Sequence, residues 1–137
     1  MPSVTPLPVR APTIPWALLG FDGRISREVF WLGFGFLYSA GDVILSALLP
    51  RALTPDTLAE LPGNQLFLLM IVLALAVWMQ FALVAKRLHD AGWSATFAII
   101  MAAPLLNLVA MVVVGLLPSE AGPNQYAVAP NQRAPRR

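Results

Sequence analysis

Three long apolar stretches, separated by polar segments, dominate the middle of the chain. They cover about residues 29–49, 66–85 and 94–117. An α-helix of about 20 apolar residues is long enough to cross a hydrocarbon core about 30 Å thick. The pattern therefore predicts an all-α membrane protein with three transmembrane helices.

The segments that flank these stretches divide the chain into three parts. Residues 1–15 contain five prolines, a density that prevents regular helix and favours a disordered tail. Residues 16–117 form the predicted membrane domain. It opens with a short apolar segment, Trp16–Phe21, which is too brief to cross and is expected at the membrane interface. Residues 118–137 are polar and contain further prolines, so we expect an irregular tail.

Local signals indicate where the predicted helices begin and end. Ser26 is a suitable N-cap for the first span, and Pro50 follows its last residues. The charged connection at residues 86–92 is so short that the second and third spans are expected to be antiparallel neighbours. Pro104 lies inside the third span and predicts a kink there.

Composition supports a membrane protein and excludes several functional classes. Hydrophobic residues make up 58% of the 137 residues and charged residues only 12%, whereas soluble domains contain about 25% charged residues. The net charge of +2 is too small to indicate a nucleic-acid partner. Because the chain has no cysteine, disulfides, thiolate catalysis and Cys-ligated metal sites are excluded.

The distribution of lysine and arginine predicts the orientation, because these residues are enriched on the cytoplasmic side of membrane helices. With three spans, the basic residues close to the side of the N-terminal segment are Arg24, Arg27, Lys86 and Arg87. Arg51 is the basic residue close to the other side. We therefore expect a cytoplasmic N-terminus and a C-terminus outside. If the third stretch instead turned back at Pro104, the C-terminus would also be cytoplasmic.

Two segments of the chain resemble a known protein family. Residues 21–31 read FDGRISREVFW, and residues 86–94 read KRLHDAGWS. Both are similar to motifs of the DUF805 family in order and in position relative to the spans, and residues 122–126, GPNQY, carry a weaker similarity. The chain departs from the family pattern at Lys86, where arginine is usual, and at Ala127 and Ala129. The resemblance implies a small, multi-pass bacterial inner-membrane protein of unknown biochemical function.

Six polar residues near the ends of the predicted helices form the most suggestive candidate site. They are Arg24, Arg27, Glu28, Arg87, His89 and Asp90. We expect Arg24 or Arg27 to pair with Asp90, and Glu28 to pair with Arg87. One interpretation is that these pairs anchor helix ends and set the topology. Another is that the cluster binds an anionic group such as a lipid phosphate, because arginine presents a planar fork of donors suited to phosphate.

His89 and Asp90 also raise the hypothesis of a membrane enzyme. A histidine beside a carboxylate can act as a general base or as a pH-sensitive switch. The chain has no second histidine and no evident nucleophile, and a metal site needs more ligands than this loop supplies. We therefore predict no catalytic residues, no metal and no cofactor, and a histidine with a structural role.

The candidate polar residues inside the predicted spans are Asp42, Gln80 and Asn107. An ionisable residue within a span is a functional hypothesis by default. Asp42 and Asn107 lie at similar depths, so a hydrogen bond between them is one interpretation, in which polar residues hold the helices together. The alternative is a transporter or channel component that uses Asp42.

The sequence as a whole favours a non-enzymatic binding or scaffold protein of the inner membrane. Its expected partners are membrane lipids, other membrane proteins and a second copy of the chain, but not nucleic acid. The Arg/His/Asp cluster would contact a protein partner or an anionic lipid headgroup. Transport through Asp42 and catalysis by His89 and Asp90 are the alternatives.

Overall fold

The computed structural model describes residues 11–49 and 54–133, apart from the side chains of residues 104 and 105. Residues 1–10, residues 50–53 and the last four residues lie outside the described residues, and with them Pro50 and Arg51, which the sequence places after the first span. The described residues form α1 Ile14–Leu19, α2 Arg27–Leu48, α3 Pro55–Ala59, α4 Gly63–Asp90, a 3₁₀ helix Ala95–Ala102 and α5 Pro104–Leu116. Within these ranges there is one isolated β-bridge and no strand. The fold class is all-α.

The start of α2 follows from its sequence. The Ser26 side chain accepts a hydrogen bond from the backbone N–H of Val29, at 3.4 Å, so the predicted N-cap is confirmed. Glu28 lies in the first turn, where the N–H groups of the helix end favour a negative charge. This cap fixes the point at which the polar segment before α2 gives way to the apolar helix.

Two helices are long and apolar enough to cross a membrane, namely α2 and α4. In their most apolar windows only 11% and 22% of the residues are buried. The core helix of a soluble protein would be mostly buried, because its apolar side chains must leave water. These two helices are therefore of the type found in membrane proteins.

A third spanning helix is not confirmed. The third apolar stretch is divided at Ala103 into the 3₁₀ helix and α5, and α5 has 13 residues. Its length is therefore about 20 Å, shorter than a hydrocarbon core of about 30 Å. Pro104 explains the break, because proline has no N–H to continue a helix and forces the preceding residue out of helical geometry. Ala103 has φ −86° and ψ 112° accordingly.

The divided stretch leaves and returns to the same end of the bundle. The backbone N–H of Glu120 donates to the carbonyl of Asp90 at 2.7 Å, so the chain after α5 meets the end of α4. The N–H of Arg24 likewise donates to the carbonyl of Gln132 at 3.0 Å. The three-span prediction places the C-terminal segment at the end of the bundle far from Arg24, and these contacts show that it lies at the same end. The physical reason is that the third apolar stretch is broken at Ala103 and turns back instead of continuing as one helix.

Close helix packing occurs at two glycines. A Cβ added at Gly33 would lie 2.9 Å from Cδ2 of Leu83, which brings α2 against α4. A Cβ at Gly115 would overlap the ring of Trp31, which brings α5 against α2. The hydrophobic core lies next to this contact and includes Phe30, a residue with no exposed surface. The core therefore lies toward the end of the bundle where the chain segments meet.

Candidate functional site

The charged residues gather at one end of the bundle, here called the polar end, where residues 22–28, 86–92 and 117–133 meet. Of the six residues predicted as a cluster, four are buried: Arg24, Arg87, His89 and Asp90. Arg27 and Glu28 are exposed. The structure therefore separates the predicted cluster into an inner group and an outer pair.

Asp90 is the centre of the inner group. Its Oδ1 accepts a hydrogen bond from Nε of Arg24 at 3.0 Å. Its Oδ2 accepts from Nη1 of Arg87 and, at 2.5 Å, from the hydroxyl of Ser119. All three of the ionic side chains, Arg24, Arg87 and Asp90, are fully buried, and we call them the buried cluster. Both carboxylate oxygens are therefore occupied by the protein itself.

Arg24 uses its remaining donors on the C-terminal segment, residues 117–133. Nη1 donates to the carbonyl of Gly122 at 2.8 Å, and Nη2 donates to the carbonyl of Glu120 at 2.8 Å. A guanidinium group offers five donors in a fixed plane, so one side chain can reach a carboxylate and two carbonyls together. Arg24 thereby joins the start of α2, the end of α4 and the C-terminal segment.

Arg87 differs from its predicted pairing. The sequence suggested Glu28 as its partner, but Glu28 is exposed and Arg87 pairs with Asp90, one turn away on α4. Nη2 of Arg87 also donates to the carbonyl of Leu117, and Nη1 to the hydroxyl of Ser119 at 3.3 Å. Its Nε is buried without a hydrogen-bond partner among the described residues. The predicted pairing of Arg24 with Asp90, by contrast, is present.

Lys86 is a buried cation that the sequence did not single out as a site residue. Its Nζ donates to the carbonyls of Trp16, at 3.3 Å, and Gly20. The ammonium also lies 5.5 Å from the centroid of the Trp16 ring. A cation is favoured at the carbonyl end of a helix such as α1 and over an aromatic face. The signal in the sequence is the aromatic segment before α2, which supplies the ring and the carbonyls.

His89 is held by groups other than Asp90. Its Nδ1 is 3.1 Å from the carbonyl of Gly23, which requires a proton on Nδ1. Its ring stacks on Tyr126, with centroids 3.8 Å apart, and the residue is 8% exposed. Because Asp90 bonds to the two arginines and Ser119, the His89–Asp90 arrangement required for a general base is not formed.

The C-terminal segment covers the polar end through Asn124. Its Nδ2 donates to the carbonyl of His89 at 2.9 Å and to Oε2 of Glu120 at 2.8 Å. Its Oδ1 accepts from the backbone N–H groups of Tyr126 at 3.0 Å and Ala127 at 3.3 Å. These contacts were missed at the sequence level, although the weak similarity at residues 122–126 marks the segment that makes them.

The polar residues of the predicted spans do not form the expected pair. The Nε2 of Gln80 donates a hydrogen bond to Oδ1 of Asn107 at 2.9 Å. The Nδ2 of Asn107 donates to the carbonyl of Met101 at 3.0 Å. Asp42 is exposed on α2. The predicted Asp42–Asn107 bond is therefore wrong. The described contacts give no continuous polar path from Asp42 to the other two residues.

A protein-family model matches a range of the chain that includes most of the residues of the polar end. The model of a family described as a protein of unknown function, DUF805, matches residues 18–127, most of the chain. The chain belongs to the DUF805 family. The three DUF805-like segments of the sequence, residues 21–31, 86–94 and 122–126, supply Arg24, Asp90 and Asn124. They therefore come together at one end of the fold although about a hundred residues separate the first from the last.

Two relatives of this DUF805 protein are described as uncharacterized proteins. The chain is 36% identical over 89 residues to the uncharacterized protein YiiR of Escherichia coli strain K12, and equally to YiiR of E. coli O157:H7. The alignment covers 65% of this chain and 53% of each relative, so it covers about half of the relatives' length. No solved structure matches the chain.

Two cavities of the DUF805 fold lie near the polar end and differ in chemistry. A cavity of 280 Å³ is lined by polar residues of the C-terminal segment, among them Glu120 and Asn124. A larger cavity of 530 Å³ lies between the 3₁₀ helix and α5 and has an almost wholly apolar lining. Within the part of the chain that the structure describes, no group of three His, Cys, Asp or Glu residues is arranged to hold a metal ion.

Proposed function

We propose that this DUF805 protein is an inner-membrane protein with two spanning helices, α2 and α4, and that residues 91–117 form a re-entrant hairpin. In this arrangement the polar end faces the cytoplasm. The support is the location of the basic residues, since Arg24, Arg27, Lys86 and Arg87 all lie at that end, as the charge bias of membrane proteins requires. Both ends of the hairpin lie there as well. The C-terminal segment is then cytoplasmic, like the segment before α2.

We further propose that the protein acts by binding rather than by catalysis. The charges of the buried cluster are used within the chain, and His89 is held by Gly23 and Tyr126. A buried, fully engaged carboxylate is a structural group, because freeing it would leave two arginines uncompensated. The inner group therefore holds the polar end together, while contact with a ligand falls to the outer pair.

The observation that carries this proposal is the state of Arg27. Its side chain is exposed, and its Nε donates to the carbonyl of Leu117 at 3.2 Å. Neither of the two ion pairs in the described ranges uses it. The described residues give its two terminal nitrogens no hydrogen-bond partner, and a guanidinium held in this way is suited to a phosphate or carboxylate. The expected ligand is an anionic lipid headgroup or an acidic site on another membrane protein.

The test is affinity purification from native membranes, with the bound lipids and proteins identified by mass spectrometry. We expect Arg27→Ala to lose a specific anionic lipid or protein that the wild type retains. Glu28→Ala is the matched control, because it removes the neighbouring exposed charge of opposite sign. Arg87→Ala is unsuitable, since its side chain is buried. Identical content in wild type and Arg27→Ala would overturn the proposal.

A further inference from the structure

The cavity between the 3₁₀ helix and α5 is an elongated apolar groove. Along α5 its lining runs from Leu106 to Leu117, about 16 Å at the rise of an α-helix. Leu88 of α4 contributes to the lining, and Trp93 lies at the polar end of the groove, where it is 48% exposed. The hydroxyl of Thr96, which also lines the groove, is 2.8 Å from that of Ser94. The groove therefore presents hydrocarbon along its length and polar groups at one end.

The size of the groove indicates what kind of molecule it accepts. Its volume is 530 Å³. A single hydrocarbon chain is narrow enough to lie along it, and its burial is favourable because almost all of the lining is apolar.

Arg27 adds a charge at the polar end of the groove. Its Nε contacts the carbonyl of Leu117, and the same residue lines the groove. The guanidinium thus lies next to the place where an acyl chain would leave the groove for the headgroup layer. An amphiphile with one apolar chain and a phosphate would satisfy both features together. Tryptophan at this level, as at Trp93, is typical of the boundary between hydrocarbon and headgroups.

We propose that the groove binds one acyl chain of an anionic phospholipid whose phosphate contacts Arg27. This inference rests on the proposed function, in which Arg27 is the exposed contact residue, and it adds the class of ligand. The acyl chain supplies most of the buried surface and the phosphate supplies the selectivity. A phospholipid with a zwitterionic headgroup would enter the same groove but gain less, since its own cation competes with Arg27.

The test uses the full chain purified in a neutral detergent and titrated with phosphatidylglycerol or phosphatidylcholine, with binding read by native mass spectrometry. Val109→Trp fills the groove from a position that is 60% exposed and lines it. Val112→Trp is the control, because Val112 is exposed on the same helix outside the groove lining. Arg27→Gln removes the charge. Circular dichroism verifies folding, and Val113→Trp replaces Val109→Trp if that variant misfolds.

We expect the wild type and Val112→Trp to prefer phosphatidylglycerol. Val109→Trp should weaken binding of both lipids, and Arg27→Gln should weaken phosphatidylglycerol by about tenfold, the effect of losing one charge-assisted contact. If Arg27→Gln loses the preference while Val109→Trp binds normally, the groove proposal is overturned and the headgroup contact of the proposed function stands. If Arg27→Gln binds both lipids as the wild type does, the phosphate contact is overturned. Loss of a co-purified protein from Val109→Trp, with lipid binding unchanged, would also overturn the groove proposal.

Discussion

Two unequal parts of α4 differ in what surrounds them, and we call Gly63–Phe81 the apolar half and Ala82–Asp90 the charged half. Every residue from Ala82 to Asp90 is buried, including one lysine, one arginine, one histidine and one aspartate. No residue from Gly63 to Phe81 is buried, and exposed side chains there include Phe67 and Met70. In one continuous helix the charged half is thus enclosed by protein, while the apolar half faces outward.

This difference shows how each half is stabilised. Buried charges require partners that replace water. The segment from α1 to the start of α2 and the C-terminal segment supply them as backbone carbonyls, the guanidinium of Arg24 and the hydroxyl of Ser119. Exposed apolar side chains require a surrounding that does not penalise them, which a lipid bilayer provides. The polar end is therefore expected to depend on specific contacts, and the apolar half on its length and hydrophobicity.

The largest effect is expected from Asp90→Asn. This change keeps the size of the side chain but leaves Arg24 and Arg87 buried without their shared counter-charge. Breaking a buried ion pair from one side typically costs about 3–5 kcal/mol. We expect a large decrease in thermal stability in detergent and greater protease sensitivity of the C-terminal segment, measured by unfolding followed through tryptophan fluorescence and by limited proteolysis.

The matched control is Glu28→Gln, which neutralises an exposed carboxylate at the same end of the bundle. It should change the unfolding midpoint far less than Asp90→Asn does, because solvent compensates an exposed charge and the contribution of the helix N-terminus is small there. An Asp90→Asn protein as stable as Glu28→Gln would show that backbone carbonyls alone hold the two arginines. The contrast between the halves of α4 would then rest on packing rather than on charge.

The sequence predicts the apolar half better than the polar end, and the reason is physical. A spanning helix is recognisable from a continuous run of apolar side chains, and the cap at Ser26 from a local pattern. The pairing of Arg24 with Asp90 could be predicted because both are charged side chains near helix ends. The carbonyls of Leu117, Glu120 and Gly122 could not be predicted as partners of the arginines. Every residue carries a carbonyl, and only the path of the backbone brings these three to the guanidinium groups.

The broken third stretch illustrates a second limit. Hydrophobicity and length favoured a full span over residues 94–117 with a kink at Pro104, and a chain that turns back at Pro104 was the alternative. Whether a proline bends a helix or ends it depends on the contacts available to the groups it frees. Here the side chain of Asn107 donates to the carbonyl of Met101, on the other side of the break, at 3.0 Å. A turn that is supported in this way can reverse the chain.

A smaller effect is expected from Asn124→Ala in the C-terminal segment. The change removes the donor to the carbonyl of His89 and the acceptor for the N–H groups of Tyr126 and Ala127. Leaving such groups unpaired costs about 1–3 kcal/mol. We expect faster hydrogen exchange at the amides of Tyr126 and Ala127, with the exchange of α2 unchanged, measured by mass spectrometry of peptides.

Gln125→Ala provides the comparison for this variant, because Gln125 is the exposed neighbour of Asn124. Its amide exchange should match that of the wild type. Equal exchange in both variants would show that Arg24 holds the C-terminal segment without help from Asn124. Faster exchange of α2 in Asn124→Ala would mean that the polar end and the helices loosen together, which would remove the distinction between the two regions.

The smallest effect is expected from Asp42→Asn in the outward-facing part of α2. Asp42 is exposed, and neither ion pair of the described residues uses it, so neutralising it breaks no ion pair among those residues. We expect an unchanged unfolding midpoint and an equal or higher yield of inserted protein, because a charge within an apolar helix opposes insertion.

Asn107→Leu is the contrasting variant, since it leaves the amide of Gln80 unpaired and should lower stability. A decrease in stability for Asp42→Asn equal to that of Asn107→Leu would show that Asp42 has a partner outside this chain. In that case the outward face of α2, and not only the polar end, would depend on a specific polar contact.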